Sequence, residues 1–169
     1  MCIIIVTKWG EVGHFSTFSP KLTDQEVKAM SFVSSYTHSM DAKKRIFIPS
    51  KFREELGEEF YITRKFDAYL SVYTAEDWEA YSEKIAKLPE AVAVELQDFI
   101  LGAAQKCVPD SSGRIIIDDR LLKHAKINKN VVFVGAGRQI RIWAEELWNE
   151  REQNRDYEKI RNIMLQYEL

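Results

Sequence analysis

Asp41-Ala42-Lys43-Lys44-Arg45-Ile46-Phe47-Ile48 returns sixty-nine positions later as Asp110-Ser111-Ser112-Gly113-Arg114-Ile115-Ile116-Ile117. Both stretches keep an Asp and an Arg four residues apart, followed by Ile-x-Ile. The carboxylate and the guanidinium bracket a turn and can pair across it. The Ile-x-Ile alternation reads as a strand with one buried face.

Working outward, the same offset recurs. Leu70-x-Val72-Tyr73 returns as Ile140-x-Ile142-Trp143, and Glu76-x-Trp78 as Glu146-x-Trp148, both seventy positions later. Three blocks in one order, with a single-residue indel between them, make an internal repeat. Each copy reads as strand, short helix or turn, strand, strand and helix. A copy of roughly forty-five residues is too short to close its own core, so the two halves are expected to interlock as a pseudo-dimer.

The helices follow from spacing and caps. Thr74-Ala75-Glu76-Asp77 is an N-cap with a carboxylate three residues on, and Trp78, Tyr81, Ile85 and Leu88 continue at helical spacing to Pro89. Val92, Leu96, Phe99, Ile100 and Ala103 are expected on one face of a second helix. A third begins near Ala144 and is expected to break or fray across the polar stretch 149–156.

The 169 residues are 46% apolar and 12% aromatic, which excludes a disordered tail and suits one domain or two small halves sharing a core. The 24 basic and 26 acidic residues leave a net charge of −2, against a protein that coats nucleic acid by bulk charge. The distribution is uneven. Residues 41–53 hold five basic side chains and one acidic, whereas residues 75–98 hold two basic and seven acidic. Cys2 and Cys107 form no metal-ligand spacing and no disulfide framework, as in a reduced, cytoplasmic chain. Cys2-Ile3-Ile4-Ile5-Val6 is too short to span a bilayer and lacks the basic flank of a signal peptide.

Catalytic readings have little support. Gly135-Ala136-Gly137 follows a strand, but the third glycine of a dinucleotide fingerprint would fall at Ile140, where another strand begins. Asp110-Ser111-Ser112-Gly113 resembles an aspartic-protease loop with an extra serine, but its counterpart Asp41-Ala42-Lys43-Lys44 lacks hydroxyl and glycine. Each Asp also has an Arg close by, against a dyad sharing one proton. His14, His38 and His124 stand apart from any ligand set. The expectation is a non-enzyme without metal, cofactor or small-molecule substrate.

Tyr36-Thr37-His38-Ser39-Met40-Asp41-Ala42-Lys43-Lys44-Arg45-Ile46-Phe47-Ile48-Pro49-Ser50-Lys51-Phe52-Arg53 resembles the signature of MraZ proteins, and Ala104 to Trp148 resembles that family's second repeat. The resemblance implies an α+β fold in which two AbrB-like swapped-hairpin modules form a pseudo-two-fold β-barrel, each followed by a helix. It implies ring-shaped homo-oligomers, nucleoid-associated in the cytoplasm. It also implies a transcriptional regulator on repeated promoter boxes of double-stranded DNA, ahead of a division and cell-wall gene cluster that includes its own gene. The alternative is an antitoxin-like interaction or scaffold protein on the same fold.

Repeat 1 is placed at 34–77, a helical linker at 78–104, repeat 2 at 105–148 and a C-terminal helix at 149–169. The usual family start fits Met30-Ser31-Phe32, and codons for Gln25 to Met30 can contain a ribosome-binding sequence. Residues 1–29 are therefore expected to be a mis-called start, or else an extension adding a strand through Ile3 to Val6.

Arg45 and Arg114 are the candidate DNA-reading side chains, because a planar guanidinium can bind guanine O6 and N7 or a phosphate in bidentate fashion. Lys43, Lys44 and Lys51 suit phosphates, and Arg53 either joins them or packs its own short helix. Asp41, Asp110 and Gly113 are expected to fix the turns. Lys44 stands where the family has glycine, so a strained positive φ is expected there. Asp118 and Asp119 replace the proline after the second Arg-Ile-x-Ile and are expected to weaken that copy's hold on DNA. Trp78, Tyr81 and Ile85 are expected to leave apolar surface for other subunits.

Overall fold

A computed structural model describes residues 32–169. The expectation for residues 1–29 therefore lies outside the described residues. Repeat 1 contributes β1 (Ser35–Ser39), β2 (Arg45–Phe47), α1 (Ser50–Leu56), β3 (Phe60–Arg64), β4 (Tyr69–Thr74) and α2 (Ala75–Ala86). A short α3 (Glu90–Leu96), prolonged by a π turn over Gln97–Leu101, leads to repeat 2. There β5 (Gln105–Cys107), β6 (Arg114–Ile116), α4 (Asp119–His124), β7 (Asn130–Gly135), β8 (Ile140–Ala144) and α5 (Glu145–Gln153) return in the same order. The last helix is α6 (Tyr157–Gln166).

All strand pairings among the described residues are antiparallel. One sheet runs β1-β7-β8-β4-β3-β5, and β2 pairs with β6 in a separate two-stranded ribbon. The order is its own mirror under the repeat: β8 and β4 meet at the centre, and each repeat's first strand lies on the other repeat's hairpin. Ser35 is opposite Val134 and Phe60 is opposite Cys107. The halves interlock as the short repeats require, but among the described residues the sheet does not close. Strands β1 and β5 are its two edges there, so in place of the expected barrel the described residues form an open sheet plus a ribbon.

The core lies between them. Ile46, Ile48, Phe52, Ile115, Ile117 and Leu121 from the ribbon and α1/α4 side pack against Leu70, Val72, Ile140 and Ile142 of the sheet, all buried. Burying such side chains contributes about 1.5–3 kcal/mol each relative to exposure. Helices α2 and α5 follow β4 and β8, as each copy's pattern required.

Local signals decide the ends. Thr74 Oγ1 accepts a 3.1 Å hydrogen bond from the Asp77 N–H at the start of α2. Pro89 caps α3 rather than merely ending α2. The third helix breaks at Asn154–Asp156, where the Asp156 carboxylate starts α6 by accepting from the Lys159 N–H.

The expected face of the second helix holds except at one position: Ile100 is buried and Leu96, Phe99 and Ala103 are partly buried, but Val92 is exposed and Ala93 faces inward in its place. The π turn adds a residue to the helical period and rotates the face. The turn is pinned to β3: Thr63 Oγ1 donates to the Ile100 carbonyl at 2.6 Å, and Arg64 Nε to the Phe99 carbonyl at 2.7 Å. Of Trp78, Tyr81 and Ile85, Ile85 is buried, whereas Trp78, stacked on Tyr61, and Tyr81, stacked on Tyr73, remain partly exposed. The large apolar side chains that stay exposed include Tyr157, Ile163, Met164 and Leu165 of α6.

Candidate nucleic-acid interface

The two Asp-x-x-x-Arg turns are near copies in space. Asp41 Oδ1 accepts the Lys43 and Arg45 N–H groups at 2.8 and 2.9 Å, and Arg45 Nε donates to Oδ2 at 2.7 Å. Asp110 Oδ1 accepts the Ser112 and Arg114 N–H groups at 2.8 and 3.0 Å, and Arg114 Nε donates to Oδ2 at 3.0 Å. Each carboxylate thus fixes its turn and aims its own arginine. The Arg45 side chain, with the backbone donors, holds Asp41 down at about 2. Asp110 is lowered too, chiefly by the Arg114 N–H.

The tightness of the turn demands a left-handed residue just before each arginine. Lys44 has φ 58° and Gly113 has φ 76°. Lys44 takes that conformation despite its Cβ, at the cost the sequence implied. A Cβ at Gly113 would also displace the guanidinium of Arg53, the far end of a flexible side chain that can swing aside.

Register places the arginines together. Across the ribbon, Arg45 is opposite Ile116, Ile46 opposite Ile115, and Phe47 opposite Arg114. Alternation sends Ile46 and Ile115 into the core, and puts Arg45, Phe47, Arg114 and Ile116 on the outer face. Phe47 and Ile116 are exposed at 37% and 58%, so this face is apolar between two cations. They were missed as site residues, although Arg45-Ile46-Phe47-Ile48 already puts Phe47 on the arginine's side. A concavity of about 310 Å³ beside the ribbon is lined by Arg45, Gln105, Asp110, Arg114 and Ile116, among others. Gln105, also missed, ties β5 to the ribbon by donating to the Ile116 carbonyl and accepting the Asp118 N–H.

The other candidates divide. Lys43 is exposed on the turn and Lys51 on α1. Arg53 is half-buried, its guanidinium 5.4 Å from the Phe47 ring centre and against Gly113, so it packs between the two repeats' turns. Lys44 is engaged: its Nζ donates to both oxygens of Asp119 at 2.6 Å. The Asp118 carboxylate caps α4 and binds Arg120, which lowers its pKa. Both acids expected to repel phosphate are thus matched by cations.

Among the described residues, no group of three or more His, Cys, Asp and Glu could hold a metal ion. No helix there is long and apolar enough to cross a membrane. Cys107 is buried on β5, and burial pushes its thiol up to about 12.

Comparison with known proteins decides the family. The MraZ family model, described as "MraZ protein, putative antitoxin-like", matches residues 31–97 and 100–163. The chain belongs to the MraZ family. Each matched segment contains one Asp-x-x-x-Arg turn. A transcriptional regulator MraZ of Carboxydothermus hydrogenoformans is 43% identical over 121 residues, covering 70% of this chain and 84% of that protein. The transcriptional regulator MraZ of Clostridium tetani is 42% identical over 136 residues, 79% of this chain and 96% of that one. That of Heliobacterium modesticaldum is 36% identical over 142 residues, covering 82% and 99%. The relatives are thus named as regulators, and no enzyme family is among the matches described.

Proposed function

We propose that this MraZ protein is a sequence-specific DNA-binding transcriptional regulator of the cytoplasm and nucleoid. It binds repeated promoter boxes as a homo-oligomer, ahead of a cell-division and cell-wall cluster that includes its own gene. The names of the relatives support regulation. The observation that carries the DNA reading is the placement of Arg45 and Arg114, one from each repeat, on the outer face of a single antiparallel ribbon. A two-stranded ribbon has the width of a major groove, and two oriented guanidiniums are suited to base edges there. Lys43 and Lys51, with Lys44 once released from Asp119, contribute phosphate contacts that position the ribbon. One ribbon grips few phosphates; several joined in a ring on successive boxes gain by effective concentration, which fits a net charge of −2.

Binding isotherms on the DNA upstream of its own gene, against a scrambled duplex, test the reading. Arg45→Ala, shown by light scattering to keep the parent's oligomeric state, is expected to lose on the order of 1–3 kcal/mol on the boxed duplex and little on the scrambled one. Equal binding of parent and folded variant would remove Arg45 from DNA readout. A parent that prefers no duplex would favour the interaction-protein alternative.

A further inference from the structure

Phe47 and Ile116, the two uncharged residues on the ribbon's outer face, are sixty-nine positions apart and so are repeat-mates, as are Arg45 and Arg114. Ile46 stands opposite Ile115, and the ribbon's internal two-fold passes between that pair. Each arginine therefore has one apolar neighbour two residues along its own strand and another directly across the ribbon.

The two mates are used differently. The Phe47 ring is engaged: the Arg53 guanidinium lies 5.4 Å from its centre and the His38 ring 5.7 Å away, and 37% of the residue is exposed. Ile116 is 58% exposed and lines the 310 Å³ concavity together with both arginines. Val108, just past β5 and 66% exposed, lines it as well. A lone apolar residue at a surface is ordinary. Here two of them share a concavity with two guanidiniums, each aimed by its own aspartate. Gln105 also clamps the backbone at Ile116, donating to its carbonyl at 2.7 Å and accepting the Asp118 N–H at 2.8 Å. The apolar spot is thus held in place relative to the arginines.

The chemistry around the spot narrows its occupant. Residues 41–53 carry five basic side chains and one acidic, so the partner is anionic. It must also bring an apolar group within reach of the arginines' own targets. Of the groups that base pairs present in the major groove, the apolar one is the C5-methyl of thymine. Residues two apart on a strand are separated by about 7 Å and opposite residues by about 5 Å, against a base-pair rise of about 3.4 Å. Ile116 is therefore one or two base-pair steps from the target of either arginine.

We propose that Ile116, with Val108 beside it, reads thymine: it receives the C5-methyl of a thymine one or two steps from a guanine held by Arg45 or Arg114. This rests on the DNA-binding function proposed above and assigns the apolar part of the readout to the second repeat. The first repeat's counterpart, Phe47, packs on Arg53 instead.

The test replaces the thymines of the boxed duplex by 2′-deoxyuridine, which removes the methyl and keeps the base pair. The parent is expected to bind the deoxyuridine duplex roughly threefold or more weakly, the effect of one methyl leaving an apolar contact. Single replacements in the parent are expected to locate the loss at a thymine one or two steps from a guanine. Ile116→Ala, shown by light scattering to keep the parent's oligomeric state, is expected to bind the two duplexes alike. A parent that prefers boxed to scrambled DNA but loses less on deoxyuridine replacement would overturn this proposal and leave the arginine readout standing. So would boxes with no thymine at that spacing, or a folded Ile116→Ala that discriminates as the parent does. A parent with no preference for boxed DNA would overturn the DNA reading and this proposal together.

Discussion

Lys44, on the turn of the first repeat, binds both carboxylate oxygens of Asp119, the first residue of α4 in the second repeat, at 2.6 Å. The pair stands beside the Asp41–Arg45 turn, so a cation available to phosphate is held by an acid from the other half. Both side chains are more than half exposed, and such pairs contribute at most about 1 kcal/mol. Asp119→Asn is therefore expected to leave thermal stability nearly unchanged. Binding to random duplex is expected to strengthen, and the slope of log affinity against log salt to steepen by about one unit, as one more cation meets phosphate. Isotherms at three salt concentrations check this.

The two turns use different residues for one backbone conformation, which gives opposite expectations. Gly113→Ala adds a Cβ at φ 76° and pushes Arg53 aside, so a loss of roughly 1–2 kcal/mol is expected in denaturant titrations. Lys44→Gly relieves the same strain but loses the Asp119 pair and gains chain entropy when unfolded. A net change within about 1 kcal/mol is expected.

Arg114→Ala is expected to reduce affinity for boxed DNA about as much as Arg45→Ala does. The neighbouring Asp118 and Asp119 are matched by Arg120 and Lys44 rather than directed at a bound phosphate. Lys43→Ala is expected instead to weaken boxed and scrambled duplexes alike and to flatten the salt dependence by about one unit. Parallel isotherms on the two duplexes separate these behaviours.

The Asp41 carboxylate, lowered from the ordinary 3.8 to about 2 by Arg45 and the turn's N–H groups, sets an acid limit on the turn. Its folded value lies below the unfolded one, so its contribution is complete above about pH 4 and is lost as pH falls through about 2. A carboxyl ¹³C titration is expected to show Asp41 titrating about two units below an ordinary aspartate, and Arg45→Ala to bring it back up.

Thr63, fully buried on β3, donates its hydroxyl to the Ile100 carbonyl in the π turn. Thr63→Val keeps the shape and leaves that carbonyl without its donor. A loss of about 1–3 kcal/mol is expected by denaturant unfolding, with DNA binding of the folded protein unchanged.

The repeat, the paired turns and the strained Lys44 were legible because Asp-x-x-x-Arg and Ile-x-Ile write geometry into adjacent residues. The exchange of first strands was less so. Ser35–Ser39 and Gln105–Cys107 are short edge strands with little apolar alternation, and nothing local says which hairpin each joins. Sheet closure, expected from the resemblance, depends on whether those edges meet, and among the described residues they do not. Lys44's partner was hidden for a similar reason. Asp119 lies seventy-five positions away, and only the folded ribbon brings it near. The exposure of Phe47 and Ile116 could have been read from alternation, but two apolar residues between cations look like core until the ribbon's outer side is known.

The exchanged strands also constrain how the chain comes off the ribosome. Strand β1 cannot find its partner until Asn130–Gly135 has been synthesised, almost a hundred residues later. Until then the hairpin of the nascent first repeat lacks β8 on one side, although Gln105–Cys107, made earlier, can already join the other. Pairings over such sequence distances are slow to close and leave edges exposed while they wait. The sheet is accordingly completed late, and open strand edges, the hazard for aggregation, persist while the second repeat is still being made.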